Sequence, residues 1–495
     1  MKTSAWLIPV PLATATGALA ALSFLGTPAT ATAWRQAREQ RGYLTPGVIA
    51  ITNAHVITMT DNTVMRNVTV LVRDGRIAAV GPDVVLPEDA RRIDAQGRYV
   101  IPGLADMHTH LYADEALPDS IAPHELGVML ANGVTTARIM IGAPHHLRLR
   151  RDVAAGRVLG PQLWVASPQL AGRQFHNGIA VTTPVEARAA VDTVADGGYD
   201  FVKLTLFLTP PVYEAIVDEA ASRRLRVVGH VEPEVGVPRA LEAGQQIEHL
   251  DSYFEAVLAD SAPMRTALTQ QRVFDTTSWA SLDHMDDVEI ARMAGATARA
   301  GVWSSPTLNV FNKAFADRET DAEIRGRPDW RFMPPAVRAG YLRARERYWS
   351  EAGLRHRTEP RRRRYVEVRN ALVKAIADSG GKLLTGSDTP EWFHAYGWGL
   401  HRELQAFVEA GLTPYQALTA ATRNAAEFLG QSAEWGTIEP GKRADLVMLD
   451  ADPLADIDNT MRIGGVMVGG RWLARGELDR LIERGADAVG GAPQP

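Results

Sequence analysis

His108-Thr109-His110 places two imidazoles two residues apart, directly after the apolar run 99–107. Residues two apart in an extended segment point to one face, so both rings can reach a single ion from the end of a strand. An isolated pair of this kind is a weak signal, but it has company after other apolar runs: His230 after 226–229, His249 after 245–248 and Asp388 after 383–387. Lys203 closes the run 199–202 in the same way. Of the 53 basic residues only six are lysine, and none of the others lies between Lys2 and Lys313. Arginine keeps its proton at any accessible pH, whereas a desolvated lysine can become a neutral amine. A neutral amine can add carbon dioxide to form a carbamate, an anionic oxygen ligand able to bridge two metals. Cysteine is absent, which excludes disulfides, thiolate zinc sites and iron–sulfur clusters. A metal centre here must therefore use imidazole and oxygen donors, a set suited to hydrolysis.

The elements that must carry these residues follow from the pattern. Short β-segments are expected at 48–58, 68–72 and 77–80, with Asp74-Gly75 as a hairpin turn. From 101 onward, apolar strand-like runs alternate with helical periodicity and end near His108, Ile139, Ala166, Leu204, His230, His249, Ser305 and Asp388. Eight such units predict an α/β fold, a (β/α)8 TIM barrel over 101–432, whose strand ends converge on one mouth. The stretch 307–360, rich in Arg, Trp, Tyr and Pro, reads as an inserted helical lid. Thr413-Pro414-Tyr415-Gln416 has the form of a capping box. β-pattern returns at 444–449 and 466–473, so 34–100 and 433–480 are expected to join in a composite β-sandwich.

The chain has 495 residues, 46% hydrophobic and 22% charged, a globular balance with room for more than one domain. A net charge of -5 gives no pull toward nucleic acid or anionic membrane, and no stable membrane partner is expected. Residues 1–33 combine Lys2, an apolar stretch and small residues at Ala31-Thr32-Ala33, the layout of a cleavable signal peptide. A periplasmic or secreted protein is expected. The sequence leaves a homo-oligomer open.

Val100-Ile101-Pro102-Gly103-Leu104-Ala105-Asp106-Met107-His108-Thr109-His110-Leu111 resembles the first-strand motif of the amidohydrolase superfamily. The segment Gly436-Thr437-Ile438-Glu439-Pro440-Gly441-Lys442-Arg443-Ala444-Asp445-Leu446-Val447 is similar to that superfamily's closing motif. The resemblance spans roughly 47–473 and is nearest to binuclear hydrolases of the imidazolonepropionase-related and prolidase-like type. It implies two divalent metal ions, Zn2+ being the expected one. His108, His110 and Asp388 would hold the buried ion, His230 and His249 the more exposed one, and carboxylated Lys203 would bridge them. The implied reaction is cleavage of an amide (C–N) bond in a dipeptide, N-acyl amino acid or related small-molecule amide by a metal-bridging hydroxide. Asp388 would take the proton of that nucleophile and pass it to the leaving nitrogen.

Two further candidates are His176, at the place of a family loop histidine within an altered glycine pattern, and Tyr253, as an oxyanion donor or else as a packing residue. The run Arg361 to Arg364 reads as a solvated helix start, or else as part of a lid that recognises an anionic substrate. His55, His145, His146 and His401 read as surface or capping residues. The alternatives are a deaminase or a cyclic-amide or lactone hydrolase of the same superfamily, and, in another class, a non-catalytic exported metal-binding protein. Against a deaminase, the position three residues after His230 is Pro233, where a glutamate would be required.

Overall fold

Alternating apolar residues make the strands Val48–Val56, Met65–Arg73 and Arg76–Gly81 of the computed structural model, which describes residues 44–111, 121–174, 178–268, 275–316 and 319–490. Arg73 pairs with Arg76 across a two-residue turn in which Asp74 and Gly75 both take positive φ, +50° and +79°. That is the conformation of the hairpin turn expected there, and Gly75 adopts it without a Cβ penalty. Tyr99–Pro102 then pairs with Val48–Val56 on one side and with Leu446–Leu449 on the other. Ile463–Val468 and Arg471–Ala474 extend the same sheet, so both chain ends share one eight-stranded sheet. Its core joins Ile51, Val70 and Val100 to Leu446, Met467 and Trp472. The strand set ends at Ala474, and helix Arg475–Ala488 packs instead on helix Ala122–Ala131.

Between these ends lie parallel strands. Leu104–Thr109, Val134–Ile139 and Gln162–Val165 form one run. Phe201–Leu204, Arg226–Gly229, Gln246–Glu248, Trp303–Ser305 and Lys382–Leu383 form another. The bridge Ala166–Phe201 joins the two runs, and Thr109–Thr389 joins the last segment back to the first. Seven of the strand ends fall within a residue or so of the positions expected. The eighth strand stops at Leu383, and 384–389 continues beside the first strand through Met107 N–H to the Thr385 carbonyl and Asp388 N–H to the His108 carbonyl. Gly386 explains this approach, since a Cβ there would meet the His108 Cβ at 2.5 Å.

The expected cap at Thr413 is present: its hydroxyl accepts from Gln416 N–H, and the Gln416 side chain accepts from Thr413 N–H. The stretch 307–360 is helical and includes Leu308–Phe311, Asp321–Arg325 and Pro335–Tyr348, with a small core of Ile324, Trp330, Met333, Tyr341 and Phe393. Arg361 and Arg364 begin helix Glu359–Asp378 and pair with Asp283 and Asp287, while Arg363 pairs with Glu359. The pairs with Asp283 and Asp287 tie this helix to its neighbours, while the Arg363 pair lies within the helix and is exposed, as in a solvated helix start. Among the described residues no helix is long and apolar enough to cross a membrane. The leader 1–33 and His176 lie outside the described residues.

Candidate metal centre

Five of the eight parallel segments contribute the candidate side chains at or beyond their ends. His108 belongs to Leu104–Thr109 and His110 follows it; Lys203 lies in Phe201–Leu204; His230 and His249 follow their strands directly. The His108 and His249 rings lie 4.6 Å apart between centroids, and His249 stacks on His230 at 4.8 Å. His110 Nε2 lies 3.0 Å from Asp388 Oδ1, and His108 Nε2 lies 3.4 Å from the same oxygen. His108, His110 and Asp388 thus offer ligand atoms that all fall within 4.8 Å of one another. His249 and Asp388 take left-handed backbone, φ +60° and +54°. For residues with a Cβ this conformation costs about 1–2 kcal/mol, and such strain collects where a site over-determines it.

Lys203 is 1% exposed, and its amine has no hydrogen-bond partner among the described residues. Burial drives that amine below its ordinary value against the pull of Glu248 and Asp388, and Arg138 adds to the lowering. Burial pushes the Asp388 carboxyl up, but His108, His110 and Lys203 outweigh it and hold it well below the usual carboxylate range. His108 is brought down to about 4, chiefly by burial. A buried amine without a partner among the described residues, set among imidazoles and an ionised carboxylate, fits a site for divalent cations.

Three histidines share one device. His108 Nδ1–H donates to Glu248 Oε2 at 2.6 Å, and His230 Nδ1–H donates to Asp251 Oδ2 at 2.6 Å. His249 Nδ1 meets Thr307 Oγ1 at 2.8 Å. Every Nδ1 is engaged, which leaves each Nε2 as the ligand atom and fixes the ring's orientation. Glu248 is itself gripped by Arg138 Nη2 at 2.7 Å, and Arg138 Nη1 donates to Gln246. Burial pushes Glu248 up, yet His108, Arg138 and Lys203 bring it down to about 2. Asp106 accepts from Ser387 N–H and Oγ–H, tying the first strand to the last. Sequence reasoning passed over Arg138, Glu248, Asp251, Thr307 and the Asp106–Ser387 pair. A signal existed for some: Asp106, Arg138 and Glu248 are charged residues inside otherwise apolar strands.

The structure brings together His108, His110, Lys203, His230, His249 and Asp388 but not Tyr253. Tyr253 is fully buried and its hydroxyl meets Thr297 Oγ1 at 2.6 Å, on the helix behind its strand. Of its two readings the burial and the bond to Thr297 fit packing, and the oxyanion-donor reading is set aside. His146 and His401 are also buried, 3% and 1% exposed, where surface positions were expected. His401 links the Asn132 carbonyl and Thr460 Oγ1 at 3.0 and 2.9 Å.

Residues 99–473 match the amidohydrolase family. An imidazolonepropionase of Symbiobacterium thermophilum is 28% identical over 442 residues, covering 86% of this chain and 93% of that one. Among solved structures, a Bifidobacterium longum protein designated a prolidase is 26% identical with a TM-score of 0.63, covering 89% of this chain and 99% of its own. A bottromycin amidohydrolase is 25% identical with a TM-score of 0.70, covering 94% of both chains.

Proposed function

This chain belongs to the amidohydrolase family, and from that membership we propose that it is an exported, metal-dependent hydrolase of small amides. Its substrates are a dipeptide, an N-acyl amino acid or a related amide, cleaved at the carbon–nitrogen bond. The observation that carries the reading is the set of His108, His110, Lys203, His230, His249 and Asp388 at the ends of the first, fourth, fifth, sixth and eighth parallel segments, with the Lys203 amine buried and without a partner among the described residues. We read the ring of parallel strands as a (β/α)8 barrel and the shared terminal sheet as its composite β-domain. Residues 1–33 act as a signal peptide.

In this reading His108, His110 and Asp388 would hold one cation, His230 and His249 would hold a second, and carboxylated Lys203 would be shared between them. Zinc bound there supplies Lewis acidity toward a carbonyl and lowers the pKa of water toward neutrality. Asp388 stays ionised at neutral pH, so its carboxylate accepts the proton of an attacking water and returns it to the leaving nitrogen. Glu248, Asp251 and Thr307 keep the imidazoles aimed, so little reorganisation is left for the reaction itself. Export agrees with a chain free of thiols.

The test is a hydrolysis screen of N-acyl amino acids and of Xaa-Pro and Xaa-basic dipeptides with zinc-loaded protein, alongside metal analysis. Release of free amino acid with two metals per chain supports the reading. Ammonia release from a ring amine would move the assignment to a deaminase, and bound metal without turnover would move it to a binding protein.

A further inference from the structure

The turn after Asp388 carries a carboxylate with no counter-charge. Glu391 opens the short turn Glu391–Phe393, and its N–H donates to the Asp388 carbonyl at 2.9 Å. Trp392 and Phe393 are both left-handed, φ +47° and +66°, so packing must hold this turn in place. That packing comes from the helical insert: Trp392 stacks on Tyr341 and meets Phe315 edge-on, while Phe393 lies against Trp330 and Tyr341. The Tyr341 hydroxyl donates to Glu391 Oε2 at 3.0 Å. Glu391 Oε1 has no hydrogen-bond partner among the described residues, and it is not sealed from solvent. Charged neighbours are matched elsewhere: Arg327 to Glu319, Arg345 to Asp321 and Arg402 to Asp329. Burial and the nearby Asp388 push the Glu391 carboxyl up to about 7, against the pull of His110, and the bond to the Asp388 carbonyl sets Glu391 one turn from the proposed ligands. A carboxylate held by one oxygen, open at the other and set beside a like charge is a receptor for a cation.

We propose that Glu391, fixed by Tyr341, receives a positively charged group of the substrate, an ammonium or a guanidinium, and so makes the enzyme selective for cationic amides. This rests on the reading of the site as an amide hydrolase. The insert then serves recognition: its aromatic residues hold the turn, and Tyr341 aims the carboxylate. Arg327 and Arg345 of the insert are paired with Glu319 and Asp321 and do not compete for it.

The experiment uses the zinc-loaded full chain and pairs of dipeptides that differ only in charge: free against N-formylated amino terminus, lysyl against norleucyl, arginyl against citrullinyl. One pair is expected to favour its cationic member in kcat/KM by about tenfold to a hundredfold, the strength of a charge-assisted hydrogen bond. That ratio should fall to near one in Glu391→Gln and partway in Tyr341→Phe. A ratio near one for every pair in the parent enzyme, or a ratio unchanged in Glu391→Gln, overturns the proposal. If no pair is hydrolysed, the amide-hydrolase reading fails separately, and the charge preference is read from calorimetric binding of 5-aminovaleramide against valeramide. Tighter binding of the charged amide that is lost in Glu391→Gln upholds the cation receptor. Equal binding, or a preference that Glu391→Gln retains, overturns it.

Discussion

At the scale of single residues, the metal centre depends on partners that never touch a ligand ion. His230 is aimed by one hydrogen bond, from Nδ1–H to Asp251 at 2.6 Å. Asp251→Asn keeps the shape but weakens that acceptor, so zinc affinity on the His230 and His249 side should fall about tenfold to a hundredfold. A zinc titration should then resolve one tight and one weakened site, whereas two unchanged sites would show that Asp251 does not support the ligand. That His108, His110, Lys203, His230, His249 and Asp388 gather in one place was legible from the sequence because each follows or closes an apolar run. Their supports were not, since Glu248 faces His108 across 140 positions of sequence and Arg138 faces Glu248 across 110. The two readings of Tyr253 stayed open for a related reason: proximity to His249 in sequence does not say where a hydroxyl at the start of the following helix points.

At the scale of elements, His401 shows how helices are locked around this centre. It sits on helix Trp398–Glu409 and binds the Asn132 carbonyl, at the end of helix Ala122–Ala131, and Thr460 in the turn Ile457–Met461. Burial brings its imidazole down to about 4 from an ordinary 6.5. Below pH 6.5 the unfolded chain therefore takes up a proton that the folded chain refuses. The associated stability is complete above 6.5 and is lost progressively as the pH falls toward 4. Between pH 6.5 and 5 the loss from this one residue is about 2 kcal/mol. Urea unfolding over that range should fall less steeply for His401→Gln than for the parent chain, and parallel curves would refute the assignment. Strands and caps of this kind were readable from local pattern, as at Asp74-Gly75 and Thr413. The burial of His401 was not, because it depends on two elements remote in sequence, and the early stop of the last strand at Leu383 depends on the close approach that Gly386 allows to His108.

At the scale of the whole molecule, the site's ligands come from the first, fourth, fifth, sixth and eighth parallel segments, and the terminal sheet joins the two ends of the chain. Ions held there bind only the folded chain, so chelation should lower stability as well as stop turnover. At free zinc a thousandfold above Kd the lost stabilisation is about 4 kcal/mol per site, visible as a drop in thermal midpoint that zinc restores. An unchanged midpoint would mean that the ring is set without the ions. The central claim, a binuclear centre built on a carboxylated lysine, is tested most directly by metal content and amide turnover of Lys203→Arg. A guanidinium cannot carry a carbamate, so the variant should hold one metal or fewer per chain and lose activity, against two metals in the parent. Two metals and full activity in Lys203→Arg would contradict it.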